Sequence, residues 1–167
     1  MTAKKILVIG VSGSGKTTFA RKLAEKTGLP LTIMDAAMWK PGWEYIGDEK
    51  TVEFLRAESK KDEWIIEGYL SQAAQAELFA AADQIIWLDY PGVLAVWRYC
   101  KRCRQYRVTS RPELPGSPER FSWVMFLVVL FKKETKSLSR FLEATTLQDR
   151  LVRFTRPKEA ATFIDSL

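Results

Sequence analysis

The sequence contains no histidine and only two cysteines among its 167 residues. The absence of histidine excludes imidazole as a general base, as a metal ligand and as a switch near neutral pH. Cys100 and Cys103 have C-x-x-C spacing, but neither a second pair nor a histidine exists to complete a zinc site. We therefore interpret them as structural or incidental thiols of a reducing cytoplasm, with a redox pair as the alternative.

Long hydrophobic runs are also missing. The longest, 121–131, is too short to span a bilayer and contains Ser122. Lys4 and Lys5 lead directly into a short apolar run, which is not the pattern of a signal peptide. We expect a cytoplasmic protein without membrane contact. We interpret 121–131 as a core or dimer-interface helix, so that both a monomer and a homodimer are compatible with the sequence.

The most informative motif is G-x-x-x-x-G-K-[ST], which covers residues 10–17. The branched apolar run before it predicts a buried strand, and the amphipathic pattern over 18–26 predicts a helix. Glycines let such a loop turn inward, so that its amide groups and the helix dipole attract phosphate. The loop therefore predicts a site for a nucleoside triphosphate, with ATP and Mg²⁺ as the expected ligands. The candidate nucleotide-binding residues are Gly10, Ser12, Gly13, Ser14, Gly15, Lys16, Thr17 and Thr18.

Carboxylates follow three of the predicted strands. Asp35 ends the run 31–35, Glu67 ends 64–67, and Asp89 ends 84–89. Ligands of parallel α/β sheets lie at the carboxyl ends of the strands. We predict that Glu67 and the Thr17 hydroxyl hold Mg²⁺, with Asp89 as a rival that is better interpreted as a turn residue. Asp35 is predicted either to meet a ligand or to cap a turn.

The segment 93–108 is rich in arginine and reads as a helix. Arg98 and Arg102 are four residues apart, so they share a helix face and can clamp phosphoryl oxygens together. The loop 109–118 contains Arg111 and three prolines, which is typical of a lid. The net charge of +6 also suits nucleic acid, so a nucleotide-switched, DNA-associated regulator is an alternative function.

Predicted strands alternate with predicted helices along the whole chain. Further helices are expected over 48–61, 71–82, 132–144 and 158–167, and a last strand over 150–154. This alternation predicts a parallel sheet with helices on both faces, in one three-layer α/β/α domain that spans 1–167.

The motifs together resemble those of the bacterial DNA topology modulation protein (FlaR-type) family, which belongs to the adenylate-kinase-like P-loop NTPases. The resemblance rests on the glycine loop, Asp35 and the runs W-K-P-G-W at 39–43, W-I-I-E-G at 64–68, L-D-Y-P at 88–91 and T-S-R-P at 109–112. It implies a five-stranded parallel sheet in the order 2-3-1-4-5. It also implies an acceptor-side flap at about 35–62, a lid at about 98–120, and an adenine contact near 155–158, including Arg156.

The sequence departs from the family pattern at several positions. Glu67 stands where Asp is more usual, and Gly116-Ser117-Pro118 stands where relatives often have Gly-Cys-Pro. Ser71-Gln72 replaces the arginine with which related kinases hold an acceptor phosphate, so a monophosphate acceptor is disfavoured.

We therefore expect an ATP- and Mg²⁺-dependent kinase acting on an unidentified small molecule. Its catalytic candidates are Lys16, Arg98, Arg102 and Arg111 for the phosphoryl charge and Asp35 for the acceptor hydroxyl. An ATP hydrolase or a binding protein without an acceptor is the third interpretation.

Overall fold

The computed structural model describes residues 3–68, 72–132, 139 and 146–167, and the side chains of all of these except 72–76 and 146. Its strands are β1 (Lys5–Gly10), β2 (Leu31–Ile33), β3 (Trp39–Lys40), β4 (Glu44–Tyr45), β5 (Trp64–Glu67), β6 (Gln84–Leu88) and β7 (Leu151–Phe154). Its helices are α1 (Lys16–Thr27), α2 (Met34–Met38), α3 (Asp48–Ser59), α4 (Gln72–Ala81), α5 (Gly92–Gln105), α6 (Trp123–Leu130) and α7 (Pro157–Asp165), and a 3₁₀ helix covers Thr146–Arg150.

Five parallel strands form the central sheet in the order β2-β5-β1-β6-β7. When only these five strands are numbered along the chain, the order is 2-3-1-4-5, which confirms the predicted topology. The central strand β1 is buried on both faces, as expected of a parallel strand whose sequence is continuously hydrophobic.

Two hydrophobic clusters cover the faces of the sheet. Successive side chains of a strand point to opposite faces, so Leu7 and Ile66 pack with α3 and α4, whereas Ile6 and Val8 pack with α1 and α7. The resulting α/β/α layers confirm the predicted fold class. They also bring the carboxyl ends of the parallel strands to one edge, where the loop after β1 lies.

A smaller cluster holds α6 against α5, through Val11, Ala95, Val96 and Val129. Helix α6 begins after Ser122, whose Oγ accepts a hydrogen bond from the Met125 amide at 3.3 Å. Only one face of α6 is covered, because Trp123 and Val124 are each 70% exposed. The run 121–131 therefore contributes one face of a helix to the core of the described chain, and the use of its other face as an interface stays a prediction.

Several element boundaries differ from those predicted. Strand β2 ends at Ile33, because Met34 packs directly against Gly68 and begins α2. Asp35 therefore lies in a helix and not at the end of a strand. Arg150 belongs to the 3₁₀ helix and not to β7. Of the helix predicted over 132–144, only residues 132 and 139 are among the described residues. Residue 71, the first of the helix predicted over 71–82, lies outside them. Within the described ranges, no helix combines the length and the hydrophobicity needed to cross a bilayer.

The contact between α5 and α6 can be tested at Gly92, where an added Cβ would lie 2.2 Å from the Leu130 carbonyl oxygen. We expect Gly92→Ala to lower the free energy of unfolding by about 1–3 kcal/mol, because backbone must move to admit the methyl group. Val93→Ala, at the next and exposed position, should change it by less than about 0.5 kcal/mol. Urea unfolding measures both, and a Gly92→Ala protein as stable as the wild type would contradict the packing.

Candidate active site

The loop between β1 and α1 is a tight turn that rests on α5. Gly10, Gly13 and Gly15 have φ angles of 153°, 80° and 93°, a region that glycine enters without steric strain. A Cβ at Gly13 would lie 2.2 Å from the carbonyl oxygen of Ala95 in α5. The Ser14 amide donates to the Val11 carbonyl at 3.1 Å. This loop therefore has the backbone of an anion-binding nest at the start of a helix.

Lysine, threonine and glutamate side chains meet at this loop. The Lys16 Nζ donates to the Val11 carbonyl oxygen at 3.2 Å. The Thr17 Oγ1 donates to Glu67 Oε1 at 2.7 Å, because β5 lies beside β1 with Glu67 opposite Val8. The structure thus brings together the two residues that the sequence assigns to Mg²⁺, while their role stays a prediction.

The environment of Glu67 disfavours its charged form. The carboxyl is only 3% exposed, and burial is the main reason why its pKa is raised. The positive charge of Lys16 and the hydrogen bond from Thr17 lower the pKa, whereas the negative charges of Asp35 and Glu113 raise it further. Glu67 is therefore a buried carboxylate that a bound cation would stabilise.

Two arginines of α5 reach the same loop. Arg98 Nη1 donates to the Ser14 carbonyl at 3.0 Å, and Arg102 Nη2 donates to Ser12 Oγ at 3.1 Å. Their four-residue spacing places both on the helix face that packs on the loop, as predicted. Each guanidinium keeps further N–H groups for other acceptors.

Arg111 is buried, at 6% exposure, among three carboxylates. Its Nε lies 2.7 Å from Glu119 Oε1, its Nη2 3.2 Å from Asp35 Oδ2, and its Nη1 3.3 Å from Glu113 Oε1. A buried guanidinium needs such partners, because an unpaired buried charge is strongly destabilising. The ion pairs connect the loop around Arg111 to α2, which carries Asp35.

Glu113 and Glu119 belong to this candidate site, and sequence reasoning missed both. Glu119 Oε1 also lies 3.1 Å from Arg102 Nε, and Glu113 Oε2 lies 3.3 Å from Arg21 Nη2. A signal was present in the sequence, since these are the two acidic residues of the arginine-rich stretch 98–120.

The hairpin formed by β3 and β4 is attached to the loop that follows Arg111. The Gly42 amide donates to the Gly116 carbonyl at 3.1 Å, and Ser117 Oγ accepts from the amides of Gly42 and Trp43 at 3.1 and 3.4 Å. The indole Nε1 of Trp43 donates to the Pro118 carbonyl at 2.8 Å. Residues of the W-K-P-G-W motif, which forms part of the hairpin, therefore attach it to the loop that contains Arg111.

Other candidates lie apart from this cluster. Asp89 forms ion pairs with Arg153 and Lys132, so its carboxylate serves as a counter-ion where β6 ends, which does not favour its use as a magnesium ligand. Arg156 precedes α7, and its amide donates to Glu159 Oε2 at 3.1 Å. Gln72 is the first residue of α4, and Ser71 lies outside the described residues.

Comparison with solved structures shows the fold. No protein-family model and no curated protein matches the chain. The shikimate kinase from Acinetobacter baumannii, in complex with shikimate, is similar with a TM-score of 0.61 and 19% identity, over 99% of this chain and 90% of that one. A gluconokinase from Sinorhizobium meliloti is similar with a TM-score of 0.54 and 18% identity, over 97% of this chain and 87% of that one. A sugar kinase from Janibacter sp. is similar with a TM-score of 0.52 and 22% identity, over 96% of this chain and 90% of that one. The chain therefore has the adenylate-kinase-like P-loop fold.

The raised pKa of Glu67 predicts a pH dependence of stability. A carboxyl whose folded-state pKa is raised binds protons more tightly in the folded state, so its charge destabilises the fold as the pH rises. We expect Glu67→Gln to be more stable than the wild type at neutral pH, with the difference closing as the pH falls through the raised pKa towards the ordinary value of 4.5. Urea unfolding between about pH 4 and pH 8 measures this.

Glu63→Gln is the matched control. Glu63 directly precedes β5 and pairs with Lys4, but its side chain is exposed, so removal of its charge relieves no burial. If the free energy of unfolding of Glu67→Gln showed the same pH dependence as that of Glu63→Gln, the raised pKa of Glu67 would be contradicted.

The link between the hairpin and the loop depends on the Ser117 hydroxyl. We expect Ser117→Ala to speed amide hydrogen exchange at Gly42 and Trp43 about fivefold, which corresponds to the loss of ~1 kcal/mol. Ser166→Ala removes a hydroxyl that bonds only within the end of α7 and should leave both amides unchanged. Equal exchange in the wild type and Ser117→Ala would show that the hairpin is held by other contacts.

Proposed function

We propose that this protein is a small-molecule kinase that transfers the γ-phosphoryl group of ATP to an acceptor hydroxyl. The observation that carries the proposal is the convergence of Lys16, Arg98 and Arg102 on the glycine loop, beside the Thr17–Glu67 pair. Kinases of gluconate, shikimate and sugars share the fold, which supports this reaction class.

The loop residues fit the phosphates of a nucleotide. Backbone amides of 10–18 would bind the β- and γ-phosphates, with Lys16 reaching between them. Among the described residues, Ser14 Oγ is buried and without a hydrogen-bond partner, so a phosphate oxygen would satisfy it. The segment 155–158, including Arg156, would lie beside the adenine.

Hydroxyl and carboxylate oxygens are the ligands that Mg²⁺ prefers, and Thr17 and Glu67 supply them. The described part of the chain contains no group of three or more acidic or cysteine side chains that could hold a metal, so Mg²⁺ would take its other ligands from phosphate and water. When bound, it neutralises charge on the transferring phosphates.

Asp35 is suited to receive the acceptor proton. One of its oxygens is paired with Arg111, and the side chain is 40% exposed. The acceptor oxygen would form a bond to the γ-phosphorus as the bond to the β-phosphate oxygen breaks, ADP would leave, and the hydroxyl proton would pass to Asp35. Lys16, Arg98 and Arg102 would stabilise charge on the phosphoryl oxygens, and Arg111 would orient Asp35.

The whole chain would work as one domain of the FlaR-type family, with a lid at about 98–120 and an acceptor-side flap at about 35–62. Hydrogen bonds between the flap and the lid support a shared role for these two segments. They join Gly42 and Trp43 of the flap to Ser117 and Pro118 of the lid.

A nucleotide-switched DNA-associated regulator is the alternative. It has less support, because Arg98 and Arg102 face the loop, which leaves Lys101 and Arg104 as the cations of α5 that a polyanion could contact. An ATP hydrolase without an acceptor would differ in showing no stimulation by small molecules.

ATP consumption with Mg²⁺ across a panel of nucleosides, sugars, polyols and small cofactors tests the proposal. We expect one acceptor to raise ADP release, and Lys16→Ala to lower kcat/KM for it at least about a hundredfold, because the transferred charge loses a fixed cation. Lys26→Ala, on the exposed end of the same helix, should match the wild type. Turnover that no acceptor stimulates would favour the hydrolase, and salt-sensitive DNA binding would favour the regulator.

A further inference from the structure

The ion pairs of Arg111 determine the charge of the space beside Asp35. The guanidinium contacts one carboxylate through each of its three nitrogens, those of Asp35, Glu113 and Glu119. Its charge is therefore fully engaged, since the cluster balances three guanidinium groups, with Arg21 on Glu113 and Arg102 on Glu119, against three carboxylates. A ligand carboxylate or phosphate could reach this guanidinium only by displacing one of them.

Neighbouring cations described on this side are paired as well. Arg21 contacts Glu113, and Arg102 contacts Glu119 while its Nη2 is turned to the glycine loop. On the hairpin, Lys40 contacts Glu44. No spare cation is thus found beside Asp35 in the described part of the chain.

Cations directed towards a ligand lie on the side of the glycine loop, where Lys16, Arg98 and Arg102 donate hydrogen bonds to the loop. On the other side the Asp35 side chain is 40% exposed, whereas that of Arg111 is only 7% exposed. A ligand on this side therefore meets the Asp35 carboxylate and not the guanidinium.

We propose that the acceptor carries no negative charge: it is a neutral or cationic hydroxyl compound, such as a sugar, polyol, nucleoside or amino alcohol. This inference rests on the proposed kinase function and narrows it. A neutral hydroxyl donates to Asp35 without repulsion, and an ammonium group gains from the exposed Asp35 carboxylate. An acid such as gluconate, or a nucleoside monophosphate, would bring a like charge against Asp35 and Glu113.

The first test compares acceptors that differ in charge but share a skeleton, such as glucose with gluconate and adenosine with AMP, by ATP consumption at constant ionic strength. We expect turnover that depends on Lys16 with the neutral member of a pair, and a kcat/KM at least about tenfold lower with the anionic member. Glu113→Gln should narrow this difference, and Glu63→Gln should leave it unchanged. An anionic member used as well as its neutral partner would overturn the inference.

The second test requires no knowledge of the acceptor. Inorganic phosphate is titrated by calorimetry into protein loaded with Mg²⁺ and a non-hydrolysable ATP analogue, which fills the glycine loop. We expect no measurable binding. Binding that Arg111→Gln abolishes would show that Arg111 is available to anions and would overturn the inference. If no acceptor of either charge gives turnover, the kinase function fails, and this titration decides the charge of the site by itself.

Discussion

The backbone path of residues 10–17 is the constraint on which the rest of the site depends. Positive φ angles at its glycines fold the loop back onto the end of β1, and the Ala95 carbonyl occupies the place where a side chain at Gly13 would stand. Seating the loop directly on α5 brings Arg98 and Arg102 within hydrogen-bond reach. The same turn starts α1 so that Thr17 meets Glu67. The path of this loop therefore brings together side chains from α1, α5 and β5.

A second constraint is the burial of Arg111. A guanidinium removed from water is tolerated only when its charge is paired, and three carboxylates from two separate segments meet that need. The hairpin is then held to the same loop by Ser117 and Trp43. The glycine loop thus presents cations to a ligand, whereas the other side of the sheet edge presents the exposed Asp35 carboxylate and buries Arg111, an arrangement that suits a phosphate donor and an uncharged acceptor.

The parallel sheet and the glycine loop could be predicted because their signals are local: a motif of fixed spacing and continuous hydrophobic strands. The strand order was implied by the family resemblance and not by these signals. The pairing of Arg111 with Glu119 and Asp35 could not, because ion pairs between distant segments leave no periodicity in the sequence. Asp35 was expected after a strand, but the packing of Met34 under Gly68 starts a helix there. Hydrophobicity alone also failed to show that α6 leaves Trp123 and Val124 exposed.

The most direct test is the dissociation constant of ATP with Mg²⁺, measured by calorimetry for the wild type, Arg98→Met and Arg107→Met. Arg98 donates to the glycine loop, whereas Arg107 lies exposed just beyond α5. If the loop and α5 form one phosphate site, Arg98→Met weakens binding by about tenfold or more, since a charge-assisted contact is lost, and Arg107→Met binds as the wild type does. Equal weakening by both variants, or no binding of ATP at all, would contradict a built nucleotide site.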